Sequence, residues 1–171
     1  MLRLVNPSME YETLFREFAL EIQQEGDGRD ERVDYALKDF SGYVQERLDW
    51  SQGKSLPENL VPCNEYWLLD QGKIIVASSG LRHRLNENLR KIGGHIGYYV
   101  RPSQRQKGYG HAILKLTLEK AKELGLERVV VTCDEDNIAS AKIIKKNGGV
   151  LEDTYQNDKM EVPKQRYWID L

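Results

Sequence analysis

The chain has 171 residues, of which 40% are hydrophobic and 30% are charged, and its formal net charge at pH 7 is −2. This length favours one domain spanning residues 1–171, and the composition excludes wholesale disorder. A slightly acidic chain is unsuited to bulk binding of nucleic acids or anionic membranes, and no apolar run approaches the ~18 residues that a membrane helix needs. Cys63 and Cys133 are far apart and lack metal-ligand spacing, so we expect no metal site, reduced thiols and a cytoplasmic location.

The N-terminal part of the chain is predicted to form one strand and two helices. Leu2–Val5 is a strand candidate, and apolar residues at helical spacing follow from Ser8 onward. The two apolar stripes are Leu14, Phe18 and Ile22, and then Tyr35, Phe40, Val44 and Leu48. Gly26 and Gly28 are expected to separate the helices. The first helix is rich in acidic residues, which indicates either a solvated face or the border of a site for a cationic ligand.

From residue 66 onward the pattern changes to strands that later alternate with helices. The elements that we predict are a hairpin of Tyr66–Leu69 and Lys73–Ser79, strands at Gly94–Arg101, Arg128–Thr132, Val150–Tyr155 and Arg166–Asp170, and helices at Gly108–Leu124 and Ile138–Lys146. This order predicts a mixed α/β sheet that is antiparallel at first and has helical crossovers in its second half.

The most informative segment is a glycine-rich turn between a strand and the longest predicted helix. The strand ends at Arg101-Pro102, and the turn RQKGYG, residues 105–110, leads into the helix. Such a turn presents several backbone N–H groups in one arc at the positive end of the helix dipole. Gly108 and Gly110 would allow positive φ and close approach of a ligand. The turn therefore predicts a site for a phosphate or pyrophosphate.

Three interpretations of this turn compete. A dinucleotide-binding loop would need glycine at Ile113 and a different arrangement of strands upstream, and a tight turn without a ligand would also use the two glycines. In the third interpretation, Arg105-x-x-Gly108-x-Gly110 after Tyr-Tyr-Val-Arg-Pro resembles the acetyl-CoA signature of the GCN5-related N-acetyltransferases (GNAT). The resemblance continues downstream in Asn137-x-x-Ser140 and in Gly148-Gly149.

The resemblance implies an α/β (α+β) fold with a mixed, mostly antiparallel central sheet, a splayed strand pair and about four flanking helices, as in acyl-CoA N-acyltransferases. It also implies acetyl-CoA as co-substrate, with the pantetheine arm lying beside residues 98–100 like an added strand. The implied cofactor-binding residues are Val100, Arg105, Gln106, Lys107, Gly108, Tyr109, Gly110, His111, Asn137 and Ser140. From the residues alone, Asn137 is equally explained as a helix N-cap and Ser140 as an ordinary helix serine.

The implied reaction is attack of a neutral amine on the acetyl thioester, which needs a base for the ammonium and can use an acid for the thiolate. Many family members have a tyrosine seven residues after the asparagine, whereas this chain has Ile144. In this respect it looks more like the branch of ribosomal-protein N-acetyltransferases, whose motif often lacks that tyrosine. The catalytic candidates are then Tyr98, Tyr99 and His95, although packing in the core would equally explain each tyrosine and a packed or surface position would equally explain His95. The acceptor would be a small-molecule or peptide amine, and homodimers are common in the family. The alternative function is a non-catalytic module that binds or senses acyl-CoA.

Overall fold

The computed structural model describes residues 1–26 and 30–171, and the predicted helix break at Gly28 lies outside them. The strands are β1 (Leu2–Val5), β2 (Cys63–Asp70), β3 (Ile74–Arg82), β4 (Ile96–Val100), β5 (Arg128–Asp134), β6 (Val150–Tyr155) and β7 (Lys164–Asp170). The helices are α1 (Glu12–Glu25), α2 (Asp30–Lys38), α3 (Phe40–Ser51), α4 (Tyr109–Glu123) and α5 (Ile138–Lys146). Over the described ranges, no helix is both long and apolar enough to cross a membrane.

The strands form one sheet in the order β1-β2-β3-β4-β5-β7-β6. Every neighbouring pair is antiparallel except β4 and β5, which are parallel. Helices α1–α3 bury aromatic side chains against one face, where the ring centroids of Phe15 and Trp67 lie 4.6 Å apart. Helices α4 and α5 cover the other face, where Leu114 packs in one cluster with Val129 and Ile144. The predicted mixed, mostly antiparallel sheet is confirmed.

The second predicted helix is in fact two helices, so the described chain has five α-helices instead of about four. The break is at Asp39, whose side chain accepts a hydrogen bond from the N–H of Gly42 at 2.9 Å and caps α3. An N-cap residue has non-helical backbone angles, and those of Asp39 are φ −139° and ψ 82°. The apolar stripe continues across this break because α2 and α3 pack against the same face of the sheet.

Strands β4 and β5 separate after a short contact, which gives the predicted splayed pair. Their register has the single pair Ile96↔Val131, preceded by a 2.7 Å hydrogen bond from the His95 N–H to the Val130 carbonyl. The contact requires glycine at position 94, where φ is +63° and an added Cβ would lie 2.6 Å from the Val130 carbonyl oxygen. Beyond Ile96, β4 continues to Val100 beside β3 alone, so one of its edges is open.

Candidate functional site

The turn before α4 directs a series of backbone N–H groups into one concave surface, which we call the bowl. Gln106 and Gly108 have φ of +63° and +86°, which turns the chain sharply into the helix. None of the N–H groups of residues 106–111 donates to an acceptor in the described part of the chain, and the hydrogen bonds of the helix begin with Ala112. An added Cβ at Gly108 would meet no atom within 4 Å. This arrangement can bind an anion such as a pyrophosphate through the main chain.

The side chains of this turn lie away from the bowl. The ammonium of Lys107 donates to the Ser103 carbonyl at 3.1 Å, and the hydroxyl of Tyr109 donates to Asp70 on β2 at 2.8 Å. The Nδ1 atom of His111 is buried and has no hydrogen-bond partner among the described residues. Burial lowers the pKa of His111, as do Lys146 and Lys115. The groups that form the bowl are therefore backbone N–H groups.

Gly110 has a different role from the one that the sequence suggested. It lies within α4 and does not have positive φ. An added Cβ would lie 2.6 Å from Cδ1 of Ile143 and 3.5 Å from Cγ2 of Val100. Glycine is needed here because α4 and α5 approach each other closely, and this contact places the start of α4 beside the end of β4.

Two arginines around the turn bind acidic residues of α1. The Nη2 atom of Arg105 donates to Glu25 at 2.7 Å, and Nε of Arg101 donates to Glu21 at 2.6 Å. Neither a solvated face nor a site for a cationic ligand accounts for these two acids. They tether α1 to the turn that carries the bowl, and the guanidinium of Arg105 is directed to α1 instead of into the bowl.

Strand β4 turns the backbone groups of Tyr98 and Val100 toward its open edge. The hydrogen bonds from the Arg82 N–H to the His95 carbonyl and from the Arg101 N–H to the Val76 carbonyl fix the phase of the β3–β4 ladder. Alternate residues of an antiparallel strand bond to the same neighbour, so Gly97 and Tyr99 face β3 and the residues between them face away. The open edge can therefore pair with an extended ligand.

The Tyr98 side chain bridges β4 and α5. Its hydroxyl lies 2.8 Å from Oγ of Ser140, and burial raises the pKa of Tyr98 to about 12. The Oδ1 atom of Asn137 accepts the Ser140 N–H at 3.0 Å, so Asn137 caps α5. The structure thus brings Tyr98, Asn137 and Ser140 together at the open side of the splay.

The side chains of Tyr99 and His95, the other two catalytic candidates, have partners other than Asn137 and Ser140. The Tyr99 hydroxyl donates to Glu25, and its ring packs edge-on against Phe18 of α1. The Nδ1 atom of His95 accepts the Val130 N–H at 3.0 Å, and burial, with Arg82 and Arg90, lowers the pKa of His95 to about 4. With this nitrogen occupied and protonation disfavoured, these contacts favour a structural role for His95 at the apex of the splay over the role of a catalytic base.

A cavity of about 600 Å³ lies between α1–α3 and the sheet and reaches the open part of β4. Its lining residues are Phe15, Phe18, Ile22, Arg32, Val33, Tyr43, Arg47, Cys63, Glu65, Ser78, Ser79, Gly80, Arg82, Gly97, Tyr98 and Tyr99. Arg32, Arg47 and Arg82 were not among the site residues predicted from the sequence. One signal was available for Arg47, which falls three residues after Val44 on the apolar stripe of its helix, where a charged side chain is unusual.

Comparisons with known proteins agree with this geometry. The N-acetyltransferase YnaD of Bacillus subtilis (strain 168), described as uncharacterized, is 34% identical over 76 residues, which are 44% of this chain and 43% of that protein. The match therefore spans less than half of that relative's length. RimJ of Mycobacterium smegmatis, in complex with CoA-disulfide, has a TM-score of 0.74 at 16% identity, over 99% of this chain and 81% of that one.

A second solved structure has the same fold. It is the acetyltransferase of Salmonella typhimurium that modifies the N-terminal serine of ribosomal protein L7/L12, with a TM-score of 0.69 at 16% identity over 99% of this chain and 95% of that one. The sequence model of the acetyltransferase (GNAT) domain matches residues 2–150. The chain therefore belongs to the GNAT family of N-acetyltransferases, and ribosomal-protein acetyltransferases are among its structural neighbours.

Proposed function

We propose that this chain transfers an acetyl group from acetyl-CoA to the primary amine of a small molecule or peptide. The observation that carries this proposal is the bowl of N–H groups at residues 106–111, which have no acceptor among the described residues and lie next to the open edge of β4. Family membership gives the class of reaction, and these two features supply a place for each part of the cofactor: the bowl for the pyrophosphate and the strand edge for the pantetheine arm.

The residues fit the cofactor in size and in hydrogen bonding. Gly108 leaves open space where a side chain would fill the bowl. Tyr98 and Val100 present backbone groups to the open edge, where an extended amide chain can pair as a strand does. Bound acetyl-CoA would supply the activated acetyl thioester. The N–H of Val100 is then the group that polarises the thioester carbonyl, because the N–H of Tyr99 faces β3.

The acceptor amine would approach from the 600 Å³ cavity, which reaches β4 at Gly97–Tyr99. Glu65 is the one carboxylate among the described lining residues. Its oxygens accept hydrogen bonds from the Tyr43 hydroxyl and the Trp67 indole, each at 2.7 Å. These donors hold the carboxylate in one orientation, in which it can take a proton from the ammonium form of the acceptor directly or through water.

Tyr98 is our candidate for the acid that protonates the departing thiolate. Ile144 occupies the position of the tyrosine that many family members use, and its side chain is fully buried in the core. The Tyr98 hydroxyl reaches the same helix from β4, and its raised pKa keeps the proton in place at neutral pH. Tyr99 is directed toward α1, so it is the weaker candidate.

Two glycines at opposite ends of α4 offer a matched test. Gly108 and Gly125 have φ of +86° and +79°, and an added Cβ meets nothing within 4 Å at either position. Their substitution by tryptophan therefore costs similar backbone strain, but only Gly108→Trp fills the bowl. We expect Gly108→Trp to weaken acetyl-CoA binding at least about 100-fold, or ~2.7 kcal/mol, by isothermal titration, and Gly125→Trp to leave it unchanged.

Equal affinities in the two folded variants would refute the assignment of the bowl. Thiol release measured over a panel of amines and peptides then tests the reaction itself. Acetyl-CoA binding without acceptor-dependent thiol release would instead identify a non-catalytic acyl-CoA-binding module, the function favoured if neither Tyr98 nor another group replaces the tyrosine absent at position 144.

A further inference from the structure

Most of the charged residues that line the acceptor cavity are basic, whereas α1 is rich in acidic residues. Of the charged residues that line it in the described part of the chain, three are arginines, Arg32, Arg47 and Arg82, and one is an acid, Glu65. Glu65 has hydrogen bonds from a phenol and an indole and no ion pair within the described residues. Among the described lining residues, arginines therefore outnumber acids by three to one, and Glu46, which pairs with Arg47, is not one of the lining residues.

Arg47 is the most unusual of these side chains. It is only 7% exposed, and its Nε atom is buried without a hydrogen-bond partner among the described residues. One of its amino groups pairs with Glu46, and the guanidinium lies over the Trp50 ring at 4.0 Å and the Tyr43 ring at 5.1 Å from their centroids. A buried guanidinium with an unsatisfied donor is costly, and an anionic ligand would offset that cost.

Arg82 is held beside the same cavity by neutral groups. Its Nη1 atom donates to the carbonyls of Gly93 and Gly94 at 3.0 and 2.9 Å. Carbonyl oxygens orient the guanidinium without neutralising it, and burial lowers the pKa of Arg82. A positive charge held in position near a cavity wall favours binding of a carboxylate or phosphate.

The three arginines line the wall of one cavity, together with Cys63. They come from β3, α3 and α2, and the fold brings them to the same cavity. Such a cluster can surround a single anionic group.

We propose that the acceptor acetylated at this site carries an anionic group, a carboxylate or a phosphate, in addition to its amine, and that Arg47 and Arg82 bind this group. The inference rests on the proposed function, because the cavity is the acceptor site only if the bowl binds acetyl-CoA. In this arrangement the amine lies toward β4 and the anion lies toward α3. The acceptor class is zwitterionic, not polycationic.

A direct test is to titrate the protein with inorganic phosphate while CoA saturates the bowl. The 31P NMR signal of the added phosphate reports its binding. We expect phosphate to bind the CoA complex, and Arg47→Gln to weaken that binding at least tenfold. Because Arg47 is buried, the exposed Arg32→Gln is a second variant that is expected to fold and to weaken phosphate binding. Arg128→Gln removes the same charge from a residue of β5 that does not line the cavity, and it should change nothing. Equal binding in all four proteins would overturn the inference.

Acceptor pairs that differ only in their anion distinguish its sources. We would compare β-alanine with β-alaninamide, O-phosphoethanolamine with ethanolamine, and both pairs with spermidine, by acetyl-CoA-dependent thiol release. The anion-bearing member should react at least tenfold faster in kcat/KM, and Arg47→Gln should remove the preference. An equal or faster reaction of β-alaninamide, ethanolamine or spermidine, none of which carries an anionic group, would overturn the inference. If the unaltered protein does not bind acetyl-CoA, that result would instead refute the proposed function.

Discussion

Protonation of His95 is expected to account for much of the acid sensitivity of this fold. The imidazole accepts a hydrogen bond from the Val130 N–H at Nδ1, so Nδ1 carries no proton in the folded protein. Burial, together with Arg82 and Arg90, lowers its pKa from 6.5 to about 4. Between these two values the unfolded chain binds a proton that the folded chain excludes, so the free energy of unfolding falls as the pH falls.

The size of this effect follows from the two pKa values. The pKa of His95 is 6.5 in the unfolded chain and about 4 in the folded protein, so the contribution of His95 to the free energy of unfolding is fully present above pH 6.5. It decreases by about 2 kcal/mol between pH 7 and pH 5 and is lost by about pH 4. This is a large share of the 5–15 kcal/mol that stabilises a typical protein.

Urea denaturation of the unaltered protein and His95→Asn at pH 7 and pH 5 would measure it. The Asn Oδ1 atom can accept the Val130 N–H in place of Nδ1, but asparagine does not titrate. The variant should be less stable at pH 7 because its side chain is smaller, yet its stability should fall by about 2 kcal/mol less than that of the unaltered protein on going to pH 5. Equal losses in the two proteins would refute the role that we assign to His95.

Two further predictions concern Tyr98 and the contact between α4 and α5. Tyr98→Phe should lower kcat roughly tenfold to a hundredfold with little change in KM, whereas Tyr99→Phe, the neighbouring tyrosine on the opposite face, should change kcat less; steady-state kinetics would show the difference, and equal effects would contradict the acid role. Gly110→Ala should destabilise the protein by about 1 kcal/mol because its Cβ would overlap Cδ1 of Ile143. Ile143→Val removes that atom, so denaturant unfolding of the double variant should recover most of the loss, and simple additivity would contradict the packing explanation.

The local parts of the fold were predictable because short-range signals determine them. Helix α4 was expected at Gly108–Leu124 and is found at Tyr109–Glu123, bounded by glycines that adopt positive φ. The break between α2 and α3 was missed because an N-cap at Asp39 interrupts the backbone without interrupting the apolar stripe. Strand β2 begins at Cys63 instead of Tyr66, since its pairing with β3 extends to Arg82.

In the candidate site too, the part formed by one continuous segment was predictable, and the parts formed by residues distant in sequence were not. The bowl at residues 106–111 is built from one continuous segment, so its composition indicated a phosphate site. The arginines of the cavity are separated by 15 and 35 residues, as Arg32, Arg47 and Arg82, and only the packing of α2 and α3 on β3 brings them together. Likewise, the pairing of Glu21 with Arg101 joins segments 80 residues apart, which no local pattern reveals.

Gly80 and Gly97 face each other across β3 and β4 where these strands line the cavity of about 600 Å³. An added Cβ at Gly97 would meet nothing within 4 Å, and the backbone there does not have positive φ. Substitution at position 97 therefore offers a means of changing the depth of the cavity one methyl group at a time without moving α4 or its turn. On the proposed function, directed evolution at this position would adjust selectivity for the acceptor independently of affinity for acetyl-CoA.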